Sequence, residues 1–232
     1  MNLLFAHVMK YAVPLAGAVL IGACAGGPPP PDWQVEAKGS MERSIAAYMV
    51  GNSRVEAAEL ARARSQLTRT GRADLLATAE LLHCATRVAS LVFEPCAGFE
   101  PLRLDATQAQ RAYADYLQGK VSAENAALLP PAQRAAAGGD ASSLKAIADP
   151  LSQLVAAGVL LQTTRASPPV IVQAIDTASA QGWRRPLLAW LGVQVRRAEV
   201  SGDVQEADRL RRRTALAQGD GLGLPQPEKD KK

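Results

Sequence analysis

Hydrophobic and polar residues follow the period of an α-helix along most of the chain. In the segment 53–70 an apolar stripe lies opposite a charged face. The stripe consists of Ala57, Leu60, Ala61 and Leu67, and the charged face consists of Glu59, Arg62 and Arg69. The segment 72–92 is apolar on most of its circumference, which is typical of a central, buried helix. No segment has the strong period-two alternation of a strand, so the sequence predicts an all-α fold.

Capping residues, prolines and glycines divide the chain into about nine helices joined by short turns. Ser53 with Glu56, and Asp203 with Glu206, match the capping box at the start of a helix. Asp105 is the predicted N-cap of a further helix. The predicted helical segments are 40–50, 53–70, 72–92, 105–118, 144–149, 150–165, 167–181, 185–200 and 203–218, with a short piece over 122–129 and a surface connection over 135–143.

The composition agrees with closely packed helices. The 232 residues are 48% hydrophobic but only 4% aromatic, and alanine is abundant. Small side chains allow helices to approach closely, whereas a β-sandwich needs β-branched and aromatic residues. The length suits one sizeable domain.

The first 24 residues resemble the signal peptide of a bacterial lipoprotein. Residues 11–23 are an uncharged apolar run, too short to span a bilayer as a mature helix but of the length of a signal-peptide core. The residues Ile21-Gly22-Ala23-Cys24 resemble the lipobox of that class. The resemblance implies that residues 1–23 are removed and that Cys24 carries the lipid anchor.

The lipoprotein resemblance also predicts the domain organisation and the location. Residues 24–39 would form a lipidated linker whose four prolines favour an extended, stiff spacer. Residues 40–218 would form the helical domain, and 219–232 a disordered tail. Ala25 stands where an aspartate would signal retention at the inner membrane, so the expectation is the periplasmic face of the outer membrane.

Two further cysteines, Cys84 and Cys96, remain if Cys24 is acylated. An even pair in an exported domain favours a disulfide. The alternative is two buried, reduced thiols that pack as small hydrophobic side chains.

The segment 190–210 resembles a tetratricopeptide-repeat hairpin. Trp190 and Leu191 lie on its first helix, Gly202 forms the turn, and Ala207 follows where close packing needs a small side chain. Fainter echoes occur over 46–60 and 113–128, at irregular spacing. The chain is therefore expected to form irregular antiparallel hairpins, as a tetratricopeptide-like solenoid or as a generic helical bundle.

The sequence shows no constellation of residues for catalysis, a metal or a cofactor. His83 is the only histidine beyond the signal segment, and its neighbour Cys84 points about 100° away on a helix. Glu56 and Glu59 share a helix side, but capping and solvation explain them without a glycan-cleaving site. Metal-binding spacings and phosphate-binding loops are absent, so neither a metal nor a small-molecule cofactor is expected.

The net charge of +4 is mild, and most arginines are interleaved with acidic residues. This pattern favours solvated helix faces over a nucleic-acid footprint. The alternative is a basic groove for an acidic protein segment or an anionic envelope polymer, with Arg62, Arg69 and Arg196 as candidate contacts.

These features together favour a non-enzymatic, lipid-anchored periplasmic scaffold that binds another envelope protein. The candidate aromatic contacts are Tyr48, Tyr113, Tyr116, Trp183 and Trp190. The alternatives are a peptidoglycan-directed enzyme or its regulator, and a structural lipoprotein that bridges membrane and cell wall.

Overall fold

The computed structural model describes residues 29–120, 122–138 and 141–219, with the backbone alone for residues 141 and 142. These residues form nine α-helices and no strand, which confirms the all-α prediction. The helices are α1 (Asp32–Val50), α2 (Ser53–Thr68), α3 (Ala73–Ala89), α4 (Gln108–Leu117), α5 (Pro131–Ala137), α6 (Pro150–Gln162), α7 (Pro168–Ala180), α8 (Arg184–Val200) and α9 (Val204–Gln218). Three short 3-10 helices cover Glu100–Leu102, Asn125–Leu128 and Ala141–Ala146. The predicted signal segment, Cys24 and residues 220–232 lie outside the described residues.

Helix α1 begins at Asp32, eight residues before the predicted start at 40. The linker prediction over 24–39 is therefore wrong at its C-terminal end. Pro31 occupies the N-cap position in an extended conformation, and Asp32 places a negative charge in the first turn, where the helix dipole favours it. The proline tract thus ends immediately before the helix, and the helical domain begins at 32.

Two of the three predicted N-caps are wrong. Asn52, not Ser53, caps α2 and accepts a hydrogen bond from the Val55 backbone N–H at 3.2 Å. Thr107, not Asp105, caps α4 in a complete capping box with Gln110. Glu56 does not reach back to its cap, because its side chain is held in the protein interior. The third prediction is confirmed, since Asp203 accepts from the Glu206 backbone N–H at 3.0 Å.

The chain between 130 and 150 also differs from the prediction. Helix α5 covers residues 131–137, where the sequence predicts the end of a short piece and a surface loop. Pro131 stands in its first turn, where a missing N–H costs nothing. The following segment is a 3-10 helix over 141–146, not an α-helix over 144–149.

Helix α3 lies at the centre of the fold, as its apolar circumference predicts. It packs against α1, α2, α4 and α6, and it contributes to two hydrophobic clusters. The larger cluster joins α3 to the C-terminal helices. The smaller one lies between α1, α2 and α3 and consists of Ala37, Met41, Leu60, Ala63, Leu67 and Ala79.

Close contacts at the C-terminal end of α3 join the two halves of the chain. Gly158 of α6 lies so close to α3 that an added Cβ would be 2.4 Å from the Val88 carbonyl oxygen. Trp190 of α8 is fully buried, and its indole N–H donates to the Ala89 carbonyl oxygen at 3.1 Å. The positions of α6 and α8 are therefore both set by the last turn of α3.

A disulfide joins Cys84 on α3 to Cys96 in the following loop, with their Cα atoms 5.4 Å apart. The predicted pairing is therefore confirmed over the alternative of reduced thiols. A loop of this size, 12 residues in sequence separation, stabilises a fold by about 3 kcal/mol in the chain-entropy model.

Arg185 connects α8 to the turn between α1 and α2. Its guanidinium donates to the Tyr48 carbonyl oxygen at 2.7 Å and to the Ser53 hydroxyl at 2.9 Å. The same group lies 4.3 Å from the centre of the Tyr48 ring, and the guanidinium of Arg87 lies 4.5 Å from it. Two cation–π contacts thus hold this tyrosine between the N-terminal and C-terminal helices.

Candidate functional site

An apolar groove of about 530 Å³ runs between α1 and α3. Its size lies in the range of ligand and peptide sites, and its floor is the outer side of the smaller cluster. Its polar residues are Gln34, Lys38, Glu42, Arg72 and Thr78. Its apolar lining residues are Trp33, Ala37, Met41, Ile45, Leu67, Leu75, Ala79 and Leu82. We call this the α1–α3 groove.

A second groove of about 450 Å³ lies on the other side of α3 and shares Thr78 and Leu82 with the first. We call it the α3–α5 groove, since its walls come from α3, α4 and the segment that leads into α5. It is lined by Thr78, Leu81, Leu82, Ala109, Gln110, Tyr113, Leu128, Leu129, Pro130, Pro131 and Arg134. The two grooves form one apolar surface that crosses α3.

Behind the α1–α3 groove, α2 turns two carboxylates into the interior. Glu56 is 5% and Glu59 is 7% exposed, although the sequence predicts that Glu59 faces solvent and that Glu56 belongs to a capping box. Arg43 and Arg62 hold Glu59, with contacts of 3.0 and 2.6 Å. The prediction for Glu59 is wrong because the sequence pattern of α2 alone indicates only that a buried carboxylate is costly. The Arg43 side chain that offsets this cost comes from α1.

Glu56 binds two groups of α3. The Arg87 guanidinium donates to its Oε1 at 2.8 Å, and His83 Nε2 lies 3.0 Å from the same oxygen. The Glu56 backbone carbonyl oxygen also accepts from the buried Ser44 hydroxyl at 3.0 Å. Glu56 therefore connects α1, α2 and α3, which positions the walls of the α1–α3 groove.

A third buried carboxylate, Glu80, is 4% exposed and pairs with Arg64 through two hydrogen bonds of 2.5 and 2.7 Å. This pair lines a small polar cavity of about 270 Å³ next to the disulfide. The cavity is also lined by His83 and Arg87.

The electrostatics of this network follow from burial and from its arginines. Burial lowers the pKa of His83, the charge of Arg87 acts in the same direction, and the hydrogen bond with Glu56 opposes both. Burial raises the pKa of Glu59, but the hydrogen bond from Arg43 and the charges of Arg43 and Arg62 outweigh it, so the net pKa is lowered. At neutral pH the network therefore contains a neutral His83 and a charged Glu59.

We predict that His83 makes the stability of the protein fall as the pH drops below its ordinary pKa of 6.5. Because the folded state lowers this pKa, the unfolded state binds a proton first, and stability is lost progressively as the pH falls through 6.5. His83→Gln keeps a donor for Glu56 but does not titrate, so it should flatten this dependence. Thermal unfolding midpoints at about pH 5, 6, 7 and 8 measure the difference.

Below about pH 4.5 both proteins should lose further stability, because the lowered pKa of Glu59 stabilises the folded state only while that carboxylate is charged. An equal decrease from pH 7 to pH 5 in the wild type and in His83→Gln would contradict the assignment to His83.

The structure buries three of the five predicted aromatic contacts. Tyr48, Tyr116 and Trp190 are 1%, 0% and 0% exposed, so they are core residues and do not form an exposed binding surface. Tyr113 is partly buried and lines the α3–α5 groove, where burial raises the pKa of its phenol. Trp183 is partly buried at the N-cap of α8.

The three predicted arginine contacts are exposed but do not lie in one place. Arg62 pairs with Glu59, and Arg69 donates to Gln66 at the end of α2. Arg196 lies in a shallow hollow on α8, next to the exposed Val200. The α2 arginines and Arg196 therefore lie on different helices and share no cavity.

Sequence reasoning missed the α1–α3 groove because it assigned residues 33–39 to the linker. The missed signal is the spacing of Trp33, Ala37, Met41 and Ile45, which recur every four residues and continue one helical stripe across the predicted boundary. It also missed the network around Glu80, since nothing local to α3 indicates Arg64 as its partner.

Within the described part of the chain, no cluster of three or more histidine, cysteine or acidic side chains could hold a metal ion. Among the described helices, none combines the length and the hydropathy needed to span a bilayer.

No protein-family model matches this chain, and neither curated proteins nor solved structures give a significant match. The described fold places the protein in the class of all-α proteins built from packed helical hairpins. Its candidate site is the pair of apolar grooves along α3.

Proposed function

We propose that the protein is a lipid-anchored adaptor of the bacterial cell envelope that binds another envelope protein through the grooves along α3. The single observation that carries this proposal is the apolar surface formed where the two grooves meet at Thr78 and Leu82. A continuous apolar surface that covers two neighbouring grooves and is bordered by polar side chains is typical of an interaction site.

The anchor part of the proposal rests on the lipobox resemblance at Cys24. Only seven residues separate Cys24 from the start of α1. Because Trp33 in the first turn of α1 lines the α1–α3 groove, a lipid on Cys24 would hold that groove within a short linker of the membrane surface. The proposed location is the periplasmic face of the outer membrane.

The buried carboxylates favour an adaptor over a glycan-cleaving enzyme. Glu56 and Glu59 are each bonded to arginine side chains in the interior. A glycosidase needs two carboxylates that face the substrate from opposite sides of a cleft. In the described structure these two carboxylates hold helices together instead.

The proposal is tested by in-cell crosslinking and pull-down of the C-terminally tagged protein, followed by mass spectrometry. We expect one dominant envelope protein, which is weakened by Cys24→Ala and lost in Thr78→Arg. Thr78 is exposed at the junction of both grooves, so an arginine there adds bulk and charge to the binding surface.

Ala58→Arg is the matched control, because Ala58 is exposed on α2 outside both grooves. Recovery of the same partner by Thr78→Arg and by Ala58→Arg would overturn the assignment to the grooves. Recovery of peptidoglycan fragments alone, or of no protein, would overturn the adaptor proposal.

A further inference from the structure

The walls of the α1–α3 groove have the spacing of surfaces that pack against another helix. The α1 wall presents Trp33, Ala37, Met41 and Ile45, and the α3 wall presents Leu75, Ala79 and Leu82. Both sets recur every three or four residues, which gives each wall ridges along its helix axis. Side chains of a third helix fit between such ridges.

The two walls run in the same direction. Helix α2 reverses the chain after α1 and α3 reverses it again, so the N-terminal ends of α1 and α3 lie together beside Leu67 at the end of α2. From Trp33 to Ile45 the groove is about 18 Å long, which corresponds to a helix of about twelve residues.

The ends of the groove differ in charge. Arg72 lies at the N-terminal end, and Lys38 lies on α1 about 7 Å further along the groove, with side chains 59% and 79% exposed. Lys38 is 3.9 Å from Glu42, and Arg72 binds Asp74. Because both ion pairs lie at the surface, both cations stay accessible to a partner. Ile45 and Leu82 lie at the opposite end, and the acidic Glu42 borders the groove one turn before Ile45.

The backbone of both walls favours a helical guest over a strand. An added strand needs unpaired N–H and C=O groups along an edge, whereas the backbone groups of α1 and α3 are paired inside each helix. Both walls present partly buried apolar side chains around the smaller cluster of α1, α2 and α3. A fourth helix in the groove would complete this cluster as a four-helix arrangement.

We infer that the α1–α3 groove binds one amphipathic helix of the partner protein, about twelve residues long, with a carboxylate in the half that lies beside Arg72 and Lys38. This inference rests on the adaptor function proposed above and specifies how the partner is recognised. The partner helix carries apolar residues at spacings of three and four, and its acidic residues lie where it passes Arg72 and Lys38.

The inference is tested by placing a photo-crosslinking amino acid at Gln34 and, separately, at Glu42 in the full-length protein in cells. Both positions are exposed at the rim of the groove, and eight residues of α1, about 12 Å, separate them. Mass spectrometry of the crosslinked peptides gives the partner residue captured from each position. Ala58 provides the control position on the outer face of α2.

A bound helix predicts that the two captured residues are about seven or eight positions apart in one segment of the partner. An extended segment would place them about four positions apart, and that spacing would overturn the inference. We also expect Lys38→Glu to lower the crosslinking yield about tenfold, because it places a like charge beside the partner carboxylate. Arg212→Glu, at an exposed position on α9 outside the groove, is the matched control.

Two further outcomes separate failure of this inference from failure of the adaptor proposal. Crosslinks to lipid alone from Gln34 and Glu42, or capture of the partner only from a probe at Gln110 in the α3–α5 groove, would overturn the helix inference and leave the adaptor standing. Absence of any protein crosslink from Gln34, Glu42 and Gln110 would overturn both.

Discussion

Replacing Trp190 with alanine should lower the free energy of unfolding by about 3–5 kcal/mol. The side chain is 0% exposed and is among the largest of the fully buried ones, so its removal leaves a cavity between α8 and α3. It also leaves the Ala89 carbonyl oxygen without the indole donor at 3.1 Å. Chemical denaturation followed by circular dichroism measures the change.

Two further variants separate the contributions of Trp190. Trp190→Phe keeps most of the apolar volume but loses the hydrogen bond, so it should cost about 1–3 kcal/mol. Trp183→Ala is the matched control, because Trp183 is only partly buried and should cost less than Trp190. A larger loss for Trp183→Ala than for Trp190→Ala would contradict the packing of Trp190 against the end of α3.

Gly158→Ala should lower the free energy of unfolding by about 1–3 kcal/mol, although alanine is the better helix former. The added Cβ would lie 2.4 Å from the Val88 carbonyl oxygen and 3.0 Å from a Val88 methyl group. Because the nearest atom belongs to the backbone, α3 and α6 must move apart. The same denaturation experiment measures the loss.

Gly192→Ala is the opposite case in the same fold. Gly192 lies inside α8, and an added Cβ there meets no atom within 4 Å. Alanine at 192 should therefore raise the free energy of unfolding by about 1 kcal/mol through helix propensity alone. If Gly158→Ala were also stabilising, the close approach of α3 and α6 would be refuted.

The buried carboxylates show where prediction from the sequence stops. The alternation of apolar and charged residues in α2 assigns Leu60 and Leu67 correctly to the interior. The same pattern assigns Glu59 to solvent and Glu56 to the helix cap, because an unpaired buried carboxylate is costly. Their partners Arg87 and Arg43 lie on other helices, so the compensation is invisible within the segment itself.

The candidate site was predictable only in part. Tyr113 does line a groove, whereas Tyr48, Tyr116 and Trp190 are core residues. An aromatic residue on an apolar helical stripe has the same sequence pattern in both situations, because the pattern shows the helix face and not what covers it. The resemblance to a tetratricopeptide hairpin, and the lipid anchor at Cys24, stay predictions.

The all-α class, most helix boundaries and the favoured pairing of Cys84 with Cys96 could be predicted from local sequence patterns. These features depend on the helical period, on turn residues close to each helix end and on cysteines only twelve positions apart. The burial of Glu56 and Glu59 and the groove between α1 and α3 could not be predicted in this way. Both depend on contacts between helices, where arginines from one element offset the desolvation of carboxylates on another.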